Sequence, residues 1–234
     1  MIQYNFNLKE LNTFGLDCKA KTFIDITNKD DLSLINSEIL SQKNLILGGG
    51  SNIVFANEYF DGTVICIKNK GINVVEENND SVIIEAYAGE VWNDFVYFCS
   101  KNNWWGLENL SAVPGNVGAV AVQNIGAYGA ELKDCFLDCL TYNPITKQWK
   151  TYNNEDCKFG YRYSIFKYQK DLEVIWKVRF CLSKKQKINT TYSALRDSIE
   201  RKKITITSPI QICELVTEIR NSKLPNPKIL GNAG

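Results

Sequence analysis

The chain contains 234 residues, of which 44% are hydrophobic and 23% are charged. These proportions are average for soluble globular proteins, and they exclude intrinsic disorder, collagen-like sequence and a coiled-coil rod. The 27 lysine and arginine residues nearly balance the 26 aspartate and glutamate residues, so a net charge of +1 provides no field that would draw the chain onto nucleic acid or an anionic membrane. Because the chain has no histidine, it cannot form a Ser-His-Asp triad, a Cys-His pair or an HExxH zinc site.

The cysteines and the first residues bear on the cellular compartment. Eight cysteines are scattered without a CxxC pair, and because no histidine can complete a tetrahedral site, we predict no metal. The N-terminus has neither a basic region nor an apolar stretch after it, so we expect no secretory signal. We therefore predict a cytoplasmic protein with reduced thiols, whose cysteines are mostly small buried apolar side chains.

The first half of the chain alternates short strands with helical segments. A strand is predicted at 22–26, and Asp30 and Asp31 then offer a cap for a helix. That helix would carry three apolar residues on one face: Leu32, Ile35 and Ile39. β-Branched stretches predict further strands at 44–47, 64–67, 72–75 and 82–86. Over 91–103 the apolar residues recur at the spacing of an amphipathic helix: Trp92, Phe95, Val96 and Cys99.

The second half contains one long alternating strand and one well-marked helix. Over 172–182 every second residue is a candidate for the core, which predicts a half-buried antiparallel strand with one wet face. Ser208, Pro209 and Gln211 combine a capping-box spacing with proline at the first helical position, so we predict a helix from 208 to 222. The mixture of strands and helices indicates an α+β fold.

Seven of the fifteen glycines lie in two patches, at 48–50 and within 115–129. No charged residue occurs between Asn109 and Ala130, but a proline, four glycines and several amides argue against a membrane span there. Glycine lets backbone amides approach a ligand closely, and a strand followed by Gly-Gly-Gly-Ser-Asn would suit a pyrophosphate. The pattern matches neither the Rossmann nor the P-loop motif, so a plain loop remains an alternative.

Cations and aromatic residues alternate over 158–167, and three interpretations of this segment remain open. It faintly resembles the RNP1 pattern of RNA-binding sheets, in which aromatic rings stack on bases. The near-zero net charge and the lack of an RNP2 partner favour a plain aromatic-rich core stretch over RNA binding. In the third interpretation Arg162 enters a pocket as a fixed cation for an anionic substrate, because a guanidinium stays charged and presents a planar fork of donors.

Six motifs follow one another along the chain: NTFGLD at 12–17, LGGGSN at 47–52, PGNVG at 114–118, QNIGAYG at 123–129, FGYRYSIFK at 159–167 and GNAG at 231–234. In order and spacing they resemble the UDP-N-acetylenolpyruvoylglucosamine reductase (MurB) family, and Thr191-Tyr192 resembles the tyrosine loop of its type I branch. The resemblance implies an α+β fold of the FAD-binding PCMH/VAO type. It implies FAD-binding subdomains at 1–70 and 71–205, and the start of a substrate-binding domain at 206–234.

The same resemblance implies a chemistry and a set of site residues. NADPH would reduce a noncovalent FAD, and the flavin would pass hydride to UDP-GlcNAc-enolpyruvate to give UDP-N-acetylmuramate for peptidoglycan. Arg162 matches the catalytic arginine, which would stabilise the substrate carboxylate and the enolate-like charge that develops. The matching substrate-binding positions are Tyr192, Arg220 and Lys223. The implied FAD-binding residues are Gly48, Gly49, Gly50, Ser51, Asn52, Val113, Pro114, Gly115, Gly118, Asn124, Gly126, Ala127 and Tyr128.

The family resemblance also bears on activity and partners. In the family a proton-donor serine directly follows the GNAG motif, which here ends at Gly234. The resemblance therefore implies a truncated chain with low or no turnover, because a general acid is worth about 10²–10⁴ in rate. We expect a monomer with a small-molecule substrate and no nucleic-acid or membrane partner. The alternatives are a non-catalytic flavin-binding module, an RNA-binding sheet protein, and an oxygen-using flavin oxidase of the same fold.

Overall fold

The structure, a computed structural model, describes residues 1–167, 172–225 and 229–231, so the last three residues of the GNAG motif lie outside the described residues. The strands, in chain order, are β1 (Ile2–Asn7), β2 (Lys19–Ile26), β3 (Asn44–Leu47), β4 (Tyr59–Ile67), β5 (Ile72–Glu77), β6 (Ser81–Tyr87), β7 (Gly126–Ala127), β8 (Ala130–Glu131), β9 (Phe136–Asn143), β10 (Gln148–Asn153) and β11 (Val174–Ser183). The α-helices are α1 (Ser37–Leu40), α2 (Trp92–Lys101), α3 (Val117–Gln123), α4 (Ser193–Lys202) and α5 (Pro209–Lys223).

The first sheet has the strand order β1-β2-β4-β3. Strands β2, β4 and β3 are parallel, and β1 is antiparallel to β2. Apolar side chains fill both faces, because Phe23 and Val64 lie in one buried cluster and Ile24 and Ile65 in the other. The strands predicted at 22–26, 44–47 and 64–67 are confirmed, and β2 and β4 begin several residues earlier than predicted.

The connection from β2 to β3 differs from the single helix predicted there. A 3-10 turn at Asp30–Leu34 is followed by the separate helix α1, and Ile35 between them has a non-helical backbone. The break arises because Asn36 caps α1, with its side-chain oxygen accepting a hydrogen bond from the Ile39 amide at 3.1 Å. The apolar residues of the predicted helix are nevertheless buried in the core between the sheets: Leu32, Ile35 and Ile39.

The second sheet has the order β10-β9-β11-β6-β5, and all its neighbouring strands are antiparallel. On β11 the side chains of Val178, Phe180 and Leu182 are buried, whereas Cys181 between them is exposed. This confirms the long antiparallel strand with one wet face, although it begins at Val174, two residues later than predicted. The strands predicted at 72–75 and 82–86 are present as β5 and β6.

Helix α2 packs its apolar face against the second sheet, as its periodicity predicts. The side chains on that face are fully buried: Trp92, Phe95, Val96 and Cys99. The ring centroids of Trp92 and Phe95 lie 5.9 Å and 5.1 Å from that of Phe180 on β11. The helix ends at Lys101, slightly before the predicted boundary.

Helix α5 begins as the capping pattern predicts. Ser208 is the N-cap residue and Pro209 the first helical residue, and the Ser208 amide donates to Gln211 Oε1 at 3.0 Å. The helix ends at Lys223, one residue beyond the predicted end. Its apolar stripe packs against Trp105 and against Leu195 of α4, so this part of the chain has a small core of its own.

Seven of the eight cysteines are buried, which confirms the apolar role predicted for most of them, and all eight are free thiols. The uncharged glycine-rich stretch forms a 3-10 turn, the short helix α3 and the β7–β8 hairpin instead of one long helix. Throughout residues 1–167, 172–225 and 229–231, no helix has the length and apolar character needed to cross a membrane. The same described ranges contain no cluster of three or more Cys, Asp or Glu side chains suited to a metal.

Candidate functional site

The two glycine patches meet in space. The loop at 48–52 follows β3, and the loop at 113–116 leads into α3. A Cβ atom built on Gly49 would lie 2.9 Å from Gly115 Cα, and one built on Gly48 would lie 2.8 Å from Ala119 Cβ. Real Cβ atoms essentially never approach so closely, so the two backbones touch only because these positions are glycine.

The first motif of the chain supports the glycine loop from behind. Gly50 has φ +64°, and a Cβ atom there would lie 1.9 Å from the Leu11 carbonyl oxygen. The buried Asn12 side chain fixes the backbone of the segment 8–16 that contacts Gly50. Its amide nitrogen donates to the Leu8 and Leu16 carbonyls at 2.9 and 3.0 Å, and its oxygen accepts from the Leu16 amide at 2.9 Å. The NTFGLD motif is therefore a structural brace for the glycine loop.

A cleft of about 1060 Å³ opens beside the two loops. Small-molecule sites usually enclose roughly 300–1,000 Å³, so this volume suits an extended dinucleotide. Eleven of the thirteen predicted FAD-binding residues line the cleft: Gly48, Gly49, Gly50, Ser51, Asn52, Val113, Pro114, Gly115, Gly118, Gly126 and Ala127. The cleft lies between the two sheets, since Ile46 of β3 and Ile175 of β11 both contribute to its walls.

Asn124, one of the two remaining residues, lies behind the cleft wall. Its amide nitrogen donates to the Gly160 carbonyl at 2.9 Å and to Glu131 at 3.3 Å, and its oxygen accepts from the Lys133 amide at 3.1 Å. These bonds occupy the side chain. They join the end of α3 to the turn that carries Arg162, so Asn124 holds the wall together instead of facing the cleft.

Arg162 lines the cleft from a strained turn. Its φ of 54° lies in the left-handed region, which an arginine adopts only when the surroundings impose it. Its Nη1 atom lies 3.7 Å from the position of a Cβ on Gly126, an ordinary contact distance, so the guanidinium lies beside the β7 backbone. The pKa of neighbouring Glu131 is lowered, mainly by the hydrogen bond from Lys133 and also by the charge of Arg162, so this carboxylate stays ionised beside the arginine.

A second cationic side chain, Arg220, reaches the cleft next to a pair of tyrosine rings. Arg220 of α5 lines the cleft and lies close enough to the Tyr128 hydroxyl for its charge to act on that group. Burial raises the pKa of Tyr128, and the charge of Arg220 partly offsets that rise. The Tyr128 and Tyr192 rings meet edge to face with centroids 5.0 Å apart. Three predicted site residues do not line the cleft: Tyr128, Tyr192 and the exposed Lys223. Arg220 lies beside Tyr128, which in turn contacts Tyr192, so the two tyrosines lie next to the cleft and not in its wall.

The segment that resembles RNP1 is not a sheet strand. It forms a turn followed by a 3-10 helix at Ile165–Lys167. Phe159 and Phe166 pack edge to face on Phe136 and Tyr152 in the core. The segment is thus not part of a sheet: its two phenylalanines pack in the core, whereas Tyr161 and Tyr163 are exposed on either side of Arg162.

Six polar residues that line the cleft are not among the predicted site residues. Three of them, Asn116, Gln123 and Lys167, lie within the sequence motifs, and three lie outside them: Gln42, Asn44 and Glu173. The alternation over 172–182 puts Glu173 on the wet face, but its Oε2 atom is buried. The alternation fails at Glu173, which lies just before β11 begins. It fails also at Ile175 within the strand, which is buried although the alternation puts it on the wet face; the pairing of β11 with β9 shifts in register between Ile175 and Lys177. No motif marks Gln42, Asn44 or Glu173, because Asn44 and Glu173 are more than a hundred positions apart and only the packing of the two sheets brings them to one cleft.

Comparisons with known proteins agree with this arrangement. A family model described as an FAD binding domain matches residues 25–144. UDP-N-acetylenolpyruvoylglucosamine reductase from Flavobacterium johnsoniae is 46% identical over 235 residues, covering all of this chain and 69% of that protein. The protein of the same name from Bdellovibrio bacteriovorus is 40% identical and is covered over 70% of its length. The chain belongs to the UDP-N-acetylenolpyruvoylglucosamine reductase family.

Solved structures show the same fold. MurB from Thermus caldophilus superposes with a TM-score of 0.72 at 19% identity, over all of this chain and 74% of that protein. A cholesterol oxidase from Brevibacterium sterolicum superposes with a TM-score of 0.57 at 13% identity, over 78% of this chain and 38% of that one. The predicted α+β FAD-binding fold is therefore confirmed. By its family, the chain is an FAD-dependent oxidoreductase of peptidoglycan precursor synthesis.

Proposed function

We propose that this chain binds FAD noncovalently in the cleft, takes hydride from NADPH and reduces UDP-GlcNAc-enolpyruvate to UDP-N-acetylmuramate. The observation that carries the proposal is the meeting of two glycine loops beside a cleft that also receives Arg162 and Arg220. When bound, the flavin supplies the hydride chemistry. The residue types fit it, because glycine backbone and the Ser51 hydroxyl offer donors to a pyrophosphate, and the loops at 113–118 and 126–127 offer a side-chain-poor wall to a flat ring.

Arg162 is the proposed catalytic residue. Its guanidinium carries a permanent positive charge and several donors in a fixed plane, so it can hold the carboxylate of the enolpyruvyl group. The same charge stabilises the negative charge that hydride addition creates on the substrate, without any protein rearrangement. Arg220, Tyr192 and Lys223 are proposed to hold the diphosphate and nucleotide part of the substrate. Tyr128 contributes indirectly, because its hydroxyl lies beside Arg220.

Protonation limits the proposed turnover. Among the described residues that line the cleft, Glu173 carries the one carboxyl group, and it stands beside β11 instead of beside Arg162. Glu131 near Arg162 has a lowered pKa and so does not act as an acid near neutral pH. We therefore expect reduction of the flavin by NADPH but slow steady-state conversion of the substrate, since a positioned acid contributes about 10²–10⁴ in rate.

The organisation that accompanies this function has FAD-binding subdomains at 1–70 and 71–205 and a substrate segment from 206 to 234. The change from the first sheet to the second between β4 and β5 supports the first boundary. Helix α5 packs on α2 and on the 3-10 turn at Glu108–Leu110, so the third segment is attached to the second subdomain. We also propose a cytoplasmic monomer without nucleic-acid partners, supported by eight free thiols and a net charge of +1.

The test separates the half-reactions. The purified chain is loaded with FAD, and flavin absorbance is followed after addition of NADPH and then of UDP-GlcNAc-enolpyruvate without oxygen. We expect NADPH to bleach the flavin and substrate to reoxidise it. Arg162→Ala should slow reoxidation by about 10²–10³, the usual loss for one group that stabilises a transition-state charge. Lys101→Ala, which removes an exposed cation on α2, should have no effect.

Four outcomes would each contradict a part of the proposal. Flavin that air reoxidises rapidly and substrate does not would indicate an oxidase. Flavin that binds but is never reduced would indicate a non-catalytic flavin-binding module. A folded chain that loses all FAD on gel filtration would show that the glycine loops do not form a cofactor site. Steady-state turnover as fast as single-turnover reoxidation would refute the proposed lack of a positioned acid.

A further inference from the structure

Arg162 is the third residue of a four-residue turn, and its backbone is strained there. Gly160 and Tyr163 exchange two backbone hydrogen bonds, of 3.0 and 3.2 Å, which close the turn around Tyr161 and Arg162. The φ of Arg162 is 54°, and glycine or asparagine is the usual residue at a turn position with positive φ. An L-residue such as arginine disfavours this region by about tenfold, so contacts elsewhere must hold it there.

The two ends of the turn are fixed to α3 and to the residue that follows it. The Asn124 side-chain nitrogen donates to the Gly160 carbonyl at 2.9 Å, and the buried Ser164 hydroxyl donates to the Val122 carbonyl at 2.7 Å. These bonds determine where the turn begins and ends. They do not determine the orientation of the peptide group that follows Arg162.

Burial contributes little to the middle of the turn. Tyr161 is 85% exposed, and Tyr163 is 38% exposed. The guanidinium carbon of Arg162 lies 5.8 Å from the centre of the Tyr161 ring, but a ring that is itself in solvent restrains its neighbour weakly. The strained conformation of Arg162 therefore requires a polar contact at the middle of the turn.

Lys167 makes that contact. This residue ends the 3-10 helix Ile165–Lys167, and its Nζ atom donates to the Arg162 carbonyl oxygen at 3.0 Å. A hydrogen bond from a charged donor is stronger than one between neutral groups. Because the accepting carbonyl belongs to the peptide group after Arg162, the bond fixes the orientation of that group, and with it the direction in which the Arg162 side chain leaves the backbone.

The same bond lies beside the cleft. Both Lys167 and Arg162 line the cleft walls. A substrate that fills the cleft displaces water from these walls, and a hydrogen bond is electrostatically stronger where the local dielectric is low. The restraint on Arg162 is therefore greatest when the substrate is bound.

We propose that Lys167 is a positioning residue, whose hydrogen bond to the Arg162 carbonyl keeps the strained turn in the form that directs the guanidinium toward the substrate. This inference rests on the proposed catalytic role of Arg162. A charged group that is already oriented stabilises developing negative charge without rearrangement, so holding the turn accelerates the reaction. Lys167 acts through Arg162 and needs no contact with the substrate.

The first test uses the apoprotein and needs no cofactor. Lys167→Met keeps an unbranched side chain of similar length but removes its donors. We expect the Tyr163 amide, which donates to Gly160 across the turn, to exchange its hydrogen about fivefold faster by NMR, because the turn opens more often. Lys167→Arg keeps a charged donor and should restore slow exchange. Lys158→Met, at an exposed lysine of the same segment outside the cleft, should leave exchange unchanged.

The second test follows the two half-reactions of the FAD-loaded chain. Lys167→Met should slow flavin reoxidation by saturating UDP-GlcNAc-enolpyruvate about tenfold, and Lys167→Arg should recover most of that rate. Flavin reduction by NADPH should stay at the wild-type rate, because Arg162 is proposed to act on the enolpyruvyl substrate. In an Arg162→Ala background Lys167→Met should cause no further loss, since no guanidinium remains to be positioned.

Three results would overturn the inference while the proposed role of Arg162 stands. The first is Lys167→Met reoxidation at the wild-type rate when Arg162→Ala is slow. The second is a further loss from Lys167→Met in the Arg162→Ala background, which would show that Lys167 acts on the substrate directly. The third is equal slowing of both half-reactions, which would show a general loss of structure. If Arg162→Ala itself leaves reoxidation unchanged, the proposed role of Arg162 fails and the inference fails with it.

Discussion

Replacing Gly49 by alanine tests the contact on which the cofactor site depends. The new Cβ atom would lie 2.9 Å from Gly115 Cα and 3.0 Å from Asn116 Oδ1, whereas ordinary contacts begin at about 3.4 Å. Gly49 does not have a positive φ, so alanine adds no backbone strain there and acts only by its volume. The two loops must therefore separate by about 0.5 Å, and overpacking of this kind costs about 1–3 kcal/mol.

That cost predicts two measurable losses. For a chain of this length 1 kcal/mol corresponds to about 2–4 °C in Tm, so thermal unfolding should shift down by about 2–12 °C. If the strain is relieved by moving the loop away from the ligand, FAD affinity should fall by about tenfold for each 1.4 kcal/mol. Differential scanning fluorimetry of the apoprotein and titration of flavin fluorescence measure the two effects separately.

Gly160→Ala is the matched control. A Cβ atom there would meet only Tyr163 side-chain atoms at 3.7 and 3.8 Å, which are ordinary contact distances. This variant should keep both the Tm and the FAD affinity of the wild type. The steric argument is refuted if Gly49→Ala also keeps both values, or if the two variants are equally impaired.

Two further predictions concern the brace of the loop and a buried carboxyl group. Asn12→Ala removes the partners of the Leu16 amide and carbonyl, whereas the Leu8 carbonyl keeps its hydrogen bond from the Leu11 amide. The variant should therefore destabilise the chain by about 1–3 kcal/mol and weaken FAD binding. Exposed Asn73→Ala should do neither in the same unfolding and titration assays. Burial raises the pKa of the Glu108 carboxyl group, so folding favours its protonated form. The free energy of unfolding therefore falls as the pH rises from the pKa of an unfolded glutamate to the higher pKa of the folded state. Glu108→Gln should therefore raise the Tm at pH 7 relative to wild type but not at pH 4, and an equal shift at both values would contradict this cause.

Local patterns predicted the individual elements well where one physical rule dominated. The start of α5 follows from Ser208, Pro209 and Gln211, because capping and the fixed φ of proline act within one turn. Strand β11 follows from its alternation, because one face of the second sheet is covered. The prediction of a single helix between β2 and β3 was wrong. The apolar spacing was right, but Asn36 caps a second, separate helix.

The sequence by itself determined which groups the chain can offer a cofactor. It supplies two glycine patches and Arg162, and it has no histidine. Only the tertiary structure decided which backbones touch, that Asn12 and Asn124 brace the site, and that Glu173 is one of the residues lining the cleft. The reason is that periodicity and capping act within a few residues. The cleft, in contrast, is built by strands and loops that the two sheets bring together from positions far apart in the chain.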